Sequence, residues 1–304
     1  MGFSVDASLR GRLMTALLVC LLPASLACAD GQEPEKTENQ ENSAEARSDE
    51  PAAPQPLAEL ERRAAAAEET LAPLRKDVAE NPGDASRHAI LGRALIDAHY
   101  MEEAVAHYET AAELDPEYRR LLDLGRAYEL AARLEEAVEV YEMVLEAVPD
   151  LPAALYNLGK LAHRRGEYER AVGLFQRVLV REPGHMQAQL HLGDSLRSIG
   201  RNREAYRAYE KVLAIEPTNA RDAGAFVEAL YELSALDLMM GAHDRAKQFL
   251  EEILRLSPEH DKAYYAYGQV MLHLGQPEKA QQAFAKHAEI LAAREPTSGA
   301  AMGE

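Results

Sequence analysis

Three basic residues recur at nearly constant spacing: Arg93, Arg126 and Lys160, 33 and 34 residues apart and each directly after a glycine. Guanidinium and ammonium groups held in such a row would make charge-assisted hydrogen bonds to carboxylates. Arg119, His163, Arg164 and Arg197 extend the basic set over the same stretch of chain. Aromatic residues recur as well. Tyr156, Tyr231 and Tyr265 stand three residues before Gly159, Ser234 and Gly268, with Leu238, Met239 and Leu272 following the last two. Tyrosine and methionine supply adaptable contact area. No pattern of this kind supports catalysis. The ten histidines form no H-E-x-x-H and no ligand cluster with cysteine, and the chain has neither G-x-S-x-G nor G-x-x-x-x-G-K. Acid pairs such as Glu135 and Glu136 suit the solvated start of a helix, opposite its positive dipole end. The chain therefore reads as non-catalytic, with no cofactor and no metal.

The elements that would position these residues are written into a longer period. Gly92, Ala104 and Pro116 are separated by twelve residues each, and so are Gly125, Ala137 and Pro149. The same ruler finds Gly159, Ala171 and Pro183, then Gly193, Ala205 and Pro217. Looser copies are Ser234, Ala246 and Pro258, and finally Gly268, Ala280 and Ala292. Between the marks, apolar residues fall at helical spacing, as in Leu155, Leu158 and Leu161, then Leu174, Phe175 and Val178. Gly166 separates these two stripes and suits a left-handed residue just past a helix, as do Gly200, Gly241 and Gly275. Each unit is then two antiparallel helices, small where they cross and stopped by the proline.

A unit of about 34 residues built this way cannot bury its apolar face alone, so neighbours must stack. The pattern of Leu-Gly, aromatic, Ala, aromatic and Pro in "LGRAYELAARLEEAVEVYEMVLEAVPD" resembles the tetratricopeptide repeat. The resemblance covers residues 83–293. It implies an all-α, right-handed superhelical solenoid of about six helix-turn-helix repeats plus a leading partial repeat. Residues 57–82 would supply that leading part: a flanking helix over Leu57 to Thr70, a break at Pro73, and the second helix of an incomplete repeat over Leu74 to Asn81. Seven extra residues precede the fifth repeat, about two helical turns, so Ala220 to Gly241 is expected to form one lengthened helix. His287 and Ala288 stand where earlier repeats carry pairs such as Val178 and Leu179, a softened face suited to a terminal repeat. Residues 294–304 are expected to form an unstructured tail.

The N-terminus has a different character. Arg10 and Arg12 precede the apolar run "LMTALLVCLL", and small residues follow, which marks residues 1–29 as a secretory signal. Both cysteines, Cys20 and Cys28, lie inside it, so the rest of the chain holds no disulfide. Cys28 in "SLAC" resembles the bacterial lipobox, which implies lipidation there and a membrane anchor. Ala29 after it resembles sorting to the outer membrane. Ala27 and Ala29 equally allow ordinary cleavage and a soluble periplasmic or secreted product. Residues 30–56 carry eight acids against Lys36 and Arg47 and almost no apolar side chains, the composition of a disordered acidic linker. The net charge of −18 disfavours nucleic acid.

In the tetratricopeptide family the first helices line a concave groove. By that resemblance Arg93, Arg119, Arg126, Lys160, His163, Arg164 and Arg197 form a basic half, and Tyr231 and Tyr265 an apolar half, with Tyr156 and Asn157 between. Asn157 and Lys160 resemble part of the family's carboxylate clamp, while Asp123 and His191 stand at the corresponding places of neighbouring repeats. The expected partner is a protein or peptide with an acidic segment. The resulting expectation is a non-catalytic scaffold or adaptor of the bacterial envelope, assembling pili, secretins, outer-membrane proteins or cell-wall enzymes. The alternatives are a soluble periplasmic adaptor and a regulatory or targeting subunit of an enzyme complex.

Overall fold

The computed structural model describes residues 57–294, and the leader, Cys28 and the acidic linker lie outside them. Among the described residues there are thirteen helices and no strand. The first, α1, spans Leu57–Glu80. Next come α2 (Ala85–Asp97), α3 (Met101–Leu114), α4 (Tyr118–Leu130) and α5 (Leu134–Ala147). Then follow α6 (Pro152–Arg164), α7 (Tyr168–Arg181), α8 (Met186–Ser198) and α9 (Asn202–Leu213). The described residues end in α10 (Ala220–Met239), α11 (His243–Leu256), α12 (Asp261–His273) and α13 (Pro277–Arg294). The described residues form two compact units, divided between Leu161 and Ala162.

Within each unit, consecutive helices pack as hairpins, and first helices of successive repeats also touch, α2 with α4, α8 with α10, and α10 with α12. The glycine marks explain why the hairpins close. A Cβ on Gly92 would lie 2.9 Å from the Tyr108 ring, on Gly125 2.5 Å from Tyr141, and on Gly268 2.5 Å from Phe284; Gly193 faces Tyr209 at similarly close range. In each case the ring comes from sixteen residues on, in the second helix. The fifth repeat solves the same crossing differently. It has Ser234, 2% exposed, where the others have glycine, and Leu250, 1% exposed, where they have a ring. The alanine marks Ala104, Ala137, Ala171, Ala205, Ala246 and Ala280 are all buried.

Seven residues past each mark the chain turns left-handed. Gly166, Gly200, Gly241 and Gly275 have φ between 69° and 77°, and His99 and Ala132 hold the same place at 66° and 59°. The following amide then reaches back to a carbonyl five residues earlier, as Tyr100 does to Leu95 and Arg201 to Leu196. The geometry is therefore fixed by the hairpin, and glycine relieves a strain that the first two repeats tolerate.

Two sequence expectations about the ends are corrected. Pro73 does not break the leading segment, because α1 runs unbroken through it. Proline removes one amide donor and crowds the preceding turn, at about 3 kcal/mol in a free helix. Leu71 and Val78 bury against Leu91, Leu95 and Ala104 of α2 and α3, and hold the helix on both sides of the proline. Arg75 adds a clamp, donating to Glu68 in α1 and to both oxygens of Glu103 in α3. At the other end, α13 includes Arg294, which pairs with Asp261 at 2.7 Å, one residue beyond the expected limit of the repeats. The lengthened helix before the fifth repeat is α10, a single helix of 20 residues.

Gly268→Ser should cost about 1–3 kcal/mol, because a side chain must displace the Phe284 ring. Adding Phe284→Leu recreates the Ser234 and Leu250 pair of the fifth repeat. Urea denaturation should find the double variant more stable than Gly268→Ser alone; a double variant no more stable than the single one refutes the ring as the limiting contact.

Candidate functional site

The residue after each glycine mark stands on a first helix. In the first unit, Arg93, Arg119 and Arg126 are exposed. Arg119 lies over the Tyr118 ring, 5.9 Å from its centroid. Arg93, Arg120 and Arg126 surround Asp123, whose carboxyl burial pushes upward while those cations pull it down. Lys160 is half-buried, 3.6 Å from the Glu129 carboxylate and 5.5 Å above the Tyr156 ring. The other oxygen of Glu129 accepts the Tyr141 hydroxyl at 2.7 Å. Tyr156 is only 7% exposed, so it serves as covered packing beneath Lys160 and offers little free contact area. Asn157 is half-buried.

In the second unit, the Ser195 hydroxyl donates to the His191 carbonyl at 2.8 Å. Its oxygen is then free to accept from His163 Nδ1 at 2.9 Å, which fixes the proton of that imidazole on Nδ1. The His163 ring also meets Tyr168 edge-on, and burial pushes its pKa below the ordinary histidine value. Arg164 is exposed. Arg197 lies 3.1 Å from Glu232 of α10. Burial pushes the Glu232 carboxyl up, and Arg197 opposes that shift. Asp194, at the place of Arg93 and Arg126, accepts the Tyr209 hydroxyl at 2.9 Å.

The aromatic members divide in the same way. Tyr231 is half-buried and stacks on His260, with ring centroids 5.9 Å apart. Tyr265 is 48% exposed, and its ring rests against Phe284 and His287. Leu272 at 53% and Met239 at 72% are more open still, on α12 and α10. The basic row stands on first helices, and sequence reasoning missed the carboxylates Glu129 and Glu232 beside Lys160 and Arg197. Their signal was present in the spacing: Glu129 lies four residues past Gly125, and Glu232 two residues before Ser234.

Profiles of the tetratricopeptide repeat match residues 91–152, 156–220 and 237–293. The chain belongs to the tetratricopeptide-repeat family. Among curated proteins no sequence match is found. MamA of Desulfovibrio magneticus RS-1, from residue 41 to its end, is 22% identical with a TM-score of 0.52, over 59% of this chain and 97% of that one. Pseudomonas aeruginosa PilF is 15% identical with a TM-score of 0.56, over 69% and 97% of the two chains. A tetratricopeptide-repeat protein from Parabacteroides merdae is 19% identical at 0.56, over 70% and 81%. At such identities the likeness is one of fold, an all-α array of tetratricopeptide hairpins. Among the described residues no helix is long and apolar enough to cross a membrane.

Arg197→Met leaves Glu232 without its cation and should destabilise the fold by about 1–2 kcal/mol at pH 7. A carboxyl held above its ordinary pKa binds a proton more readily folded than unfolded, so its burden is absent below the unfolded pKa and grows as pH rises through the folded one. Chemical denaturation at pH 4.5 should therefore show a smaller loss than at pH 7, whereas an equal loss at both would assign the effect to packing.

Proposed function

We propose that this tetratricopeptide-repeat chain is a non-catalytic scaffold that captures a polypeptide partner on its first-helix face. The observation that carries the reading is the exposure of Met239, Leu272 and Tyr265 on the neighbouring first helices α10 and α12. Large apolar side chains left open on adjacent elements suit contact with apolar side chains of another polypeptide. Arg93, Arg126 and Arg164 add exposed positive charge along the chain, which suits an acidic stretch in the same partner. Lys160 and Arg197 contribute less, since a partner carboxylate would first have to displace Glu129 or Glu232.

The site of action we propose is the bacterial envelope. The charged leader, short apolar run and Cys28 support export and lipid attachment, and the acidic segment 30–56 supports a tether between lipid and repeats. A scaffold held there would serve in assembling pili, secretins, outer-membrane proteins or cell-wall enzyme complexes.

A photo-crosslinking residue at position 265 should trap a discrete polypeptide, whereas one at Val180, 78% exposed on the second helix α7, should not. Met239→Asp with Leu272→Asp should reduce that trapping at least tenfold and leave the melting temperature nearly unchanged, because both side chains are exposed. Equal trapping at 265 and 180 would count against the first-helix face.

Labelled palmitate should enter the protein in a bacterial host and be lost in Cys28→Ala. Incorporation that persists in the variant would remove Cys28 as the anchor, and absence of label in both would favour a soluble periplasmic adaptor.

A further inference from the structure

Four first helices are capped by the residue two places after a proline: Asp84 after Pro82, His185 after Pro183, Asn219 after Pro217 and His260 after Pro258. Asp84 accepts from the amides of Ser86 and Arg87 at 2.9 and 3.3 Å, and Asn219 from Asp222 at 2.9 Å. These are ordinary capping residues. On α8 and α12 the place is taken by imidazole. The amide of Ala188 donates to His185 Nδ1 at 3.2 Å, and that of Ala263 donates to His260 Nδ1 at 3.1 Å.

A ring nitrogen accepts only while it keeps its lone pair, so both caps require a neutral imidazole with its proton on Nε2. Protonation converts the acceptor into a donor facing an amide N–H. It also places a positive charge at the positive end of the helix dipole. We propose that His185 is an acid-sensitive cap, which releases the first turn of α8 when the medium is acidified.

The surroundings give the two caps different company. His185 is flanked by Glu182 at the end of α7 and by Arg221 and Asp222 of α10. Burial, the largest influence, pushes its pKa down and keeps the capping form at neutral pH. His260 is flanked by Glu259 and Asp261, by Arg294 and His287 of α13, which hold Asp261, and by the Tyr231 ring of α10. On α12 the amide of Ala263 also donates to the His260 carbonyl at 3.1 Å, so the imidazole is not its sole acceptor. Aspartate and asparagine at the other two helix starts do not titrate between pH 5 and 7.5.

Amide exchange of the full chain, followed by NMR and corrected for intrinsic rates, tests this directly. Protection of Ala188 should fall roughly five- to tenfold from pH 7.5 to 5.0, the scale of a lost cap. Ser86 and Asp222 should hold theirs. In His185→Asn, which copies the cap of α10, protection at 188 should no longer depend on pH. Constant protection in the unaltered chain, or a fall that survives in the variant, would overturn the proposal. Imidazole nitrogen shifts at pH 7.5 give a check that needs no variant: a proton on Nδ1 of His185 contradicts the capping tautomer.

Discussion

The repeats depend on one close approach, a first-helix backbone lying against a ring from the second helix. At Gly92, Gly125, Gly193 and Gly268 the space that a Cβ would need is already filled by Tyr108, Tyr141, Tyr209 and Phe284. The ring buries a large apolar surface against backbone, which stabilises the hairpin, and it sets the distance between the two helix axes. Everything that repeats along the chain follows from holding that distance. The buried alanine twelve residues on, the left-handed turn seven residues on and the amide that closes the turn are places dictated by it. The fifth repeat shows that the constraint is on combined volume: Ser234 and Leu250 exchange a small gain on one helix for a loss on the other.

The rings do a second job through their hydroxyls. Tyr141 donates to Glu129 and Tyr209 donates to Asp194, each from a second helix to a carboxylate on the first-helix surface. Glu129 then holds Lys160 of the next first helix, so packing inside a hairpin is continued as charge pairing between repeats. Arg197 and Glu232 make a similar step between α8 and α10. The charged row on the first helices is accordingly part of the stacking apparatus as well as a surface. Partly buried pairs of this kind are screened less than fully exposed ones, and removing the cation leaves a carboxylate with poor hydration.

Much of this architecture was legible in the chain because it is periodic. The six marks, the left-handed glycines and the lengthened helix α10 all follow from counting residues, since backbone geometry imposes the count. What was not legible depends on partners far apart in sequence. Pro73 is a strong local signal to stop a helix, yet burial of Leu71 and Val78 overrode it. Tyr156 reads as a surface aromatic until its 7% exposure is seen, and Lys160 reads as an open cation until Glu129, 31 residues earlier, is found beside it. His99 and Ala132 take the left-handed place without being glycine, because the turn is enforced by the helices on both sides. The histidine caps were hidden for a similar reason. Their role lies in a lone pair meeting an amide three residues on, and composition does not distinguish that from a solvated imidazole.

A repeat fold separates positions that must stay from positions free to differ, and function has to be sought among the second kind. The glycine, alanine and ring places are fixed by the crossing, so they carry no information about a partner. The residue after each mark changes from Arg93 and Arg126 through Lys160 to Asp194, Ala235 and Gln269 without disturbing a hairpin. Exposure at the far ends of the first helices changes with it, reaching its largest apolar values at Met239 and Leu272 in the last two repeats. These side chains cost the free protein hydration and contribute little to its core. A face that is apolar where the fold does not ask for it, on the neighbouring first helices α10 and α12, makes the last repeats the place where a partner would be felt.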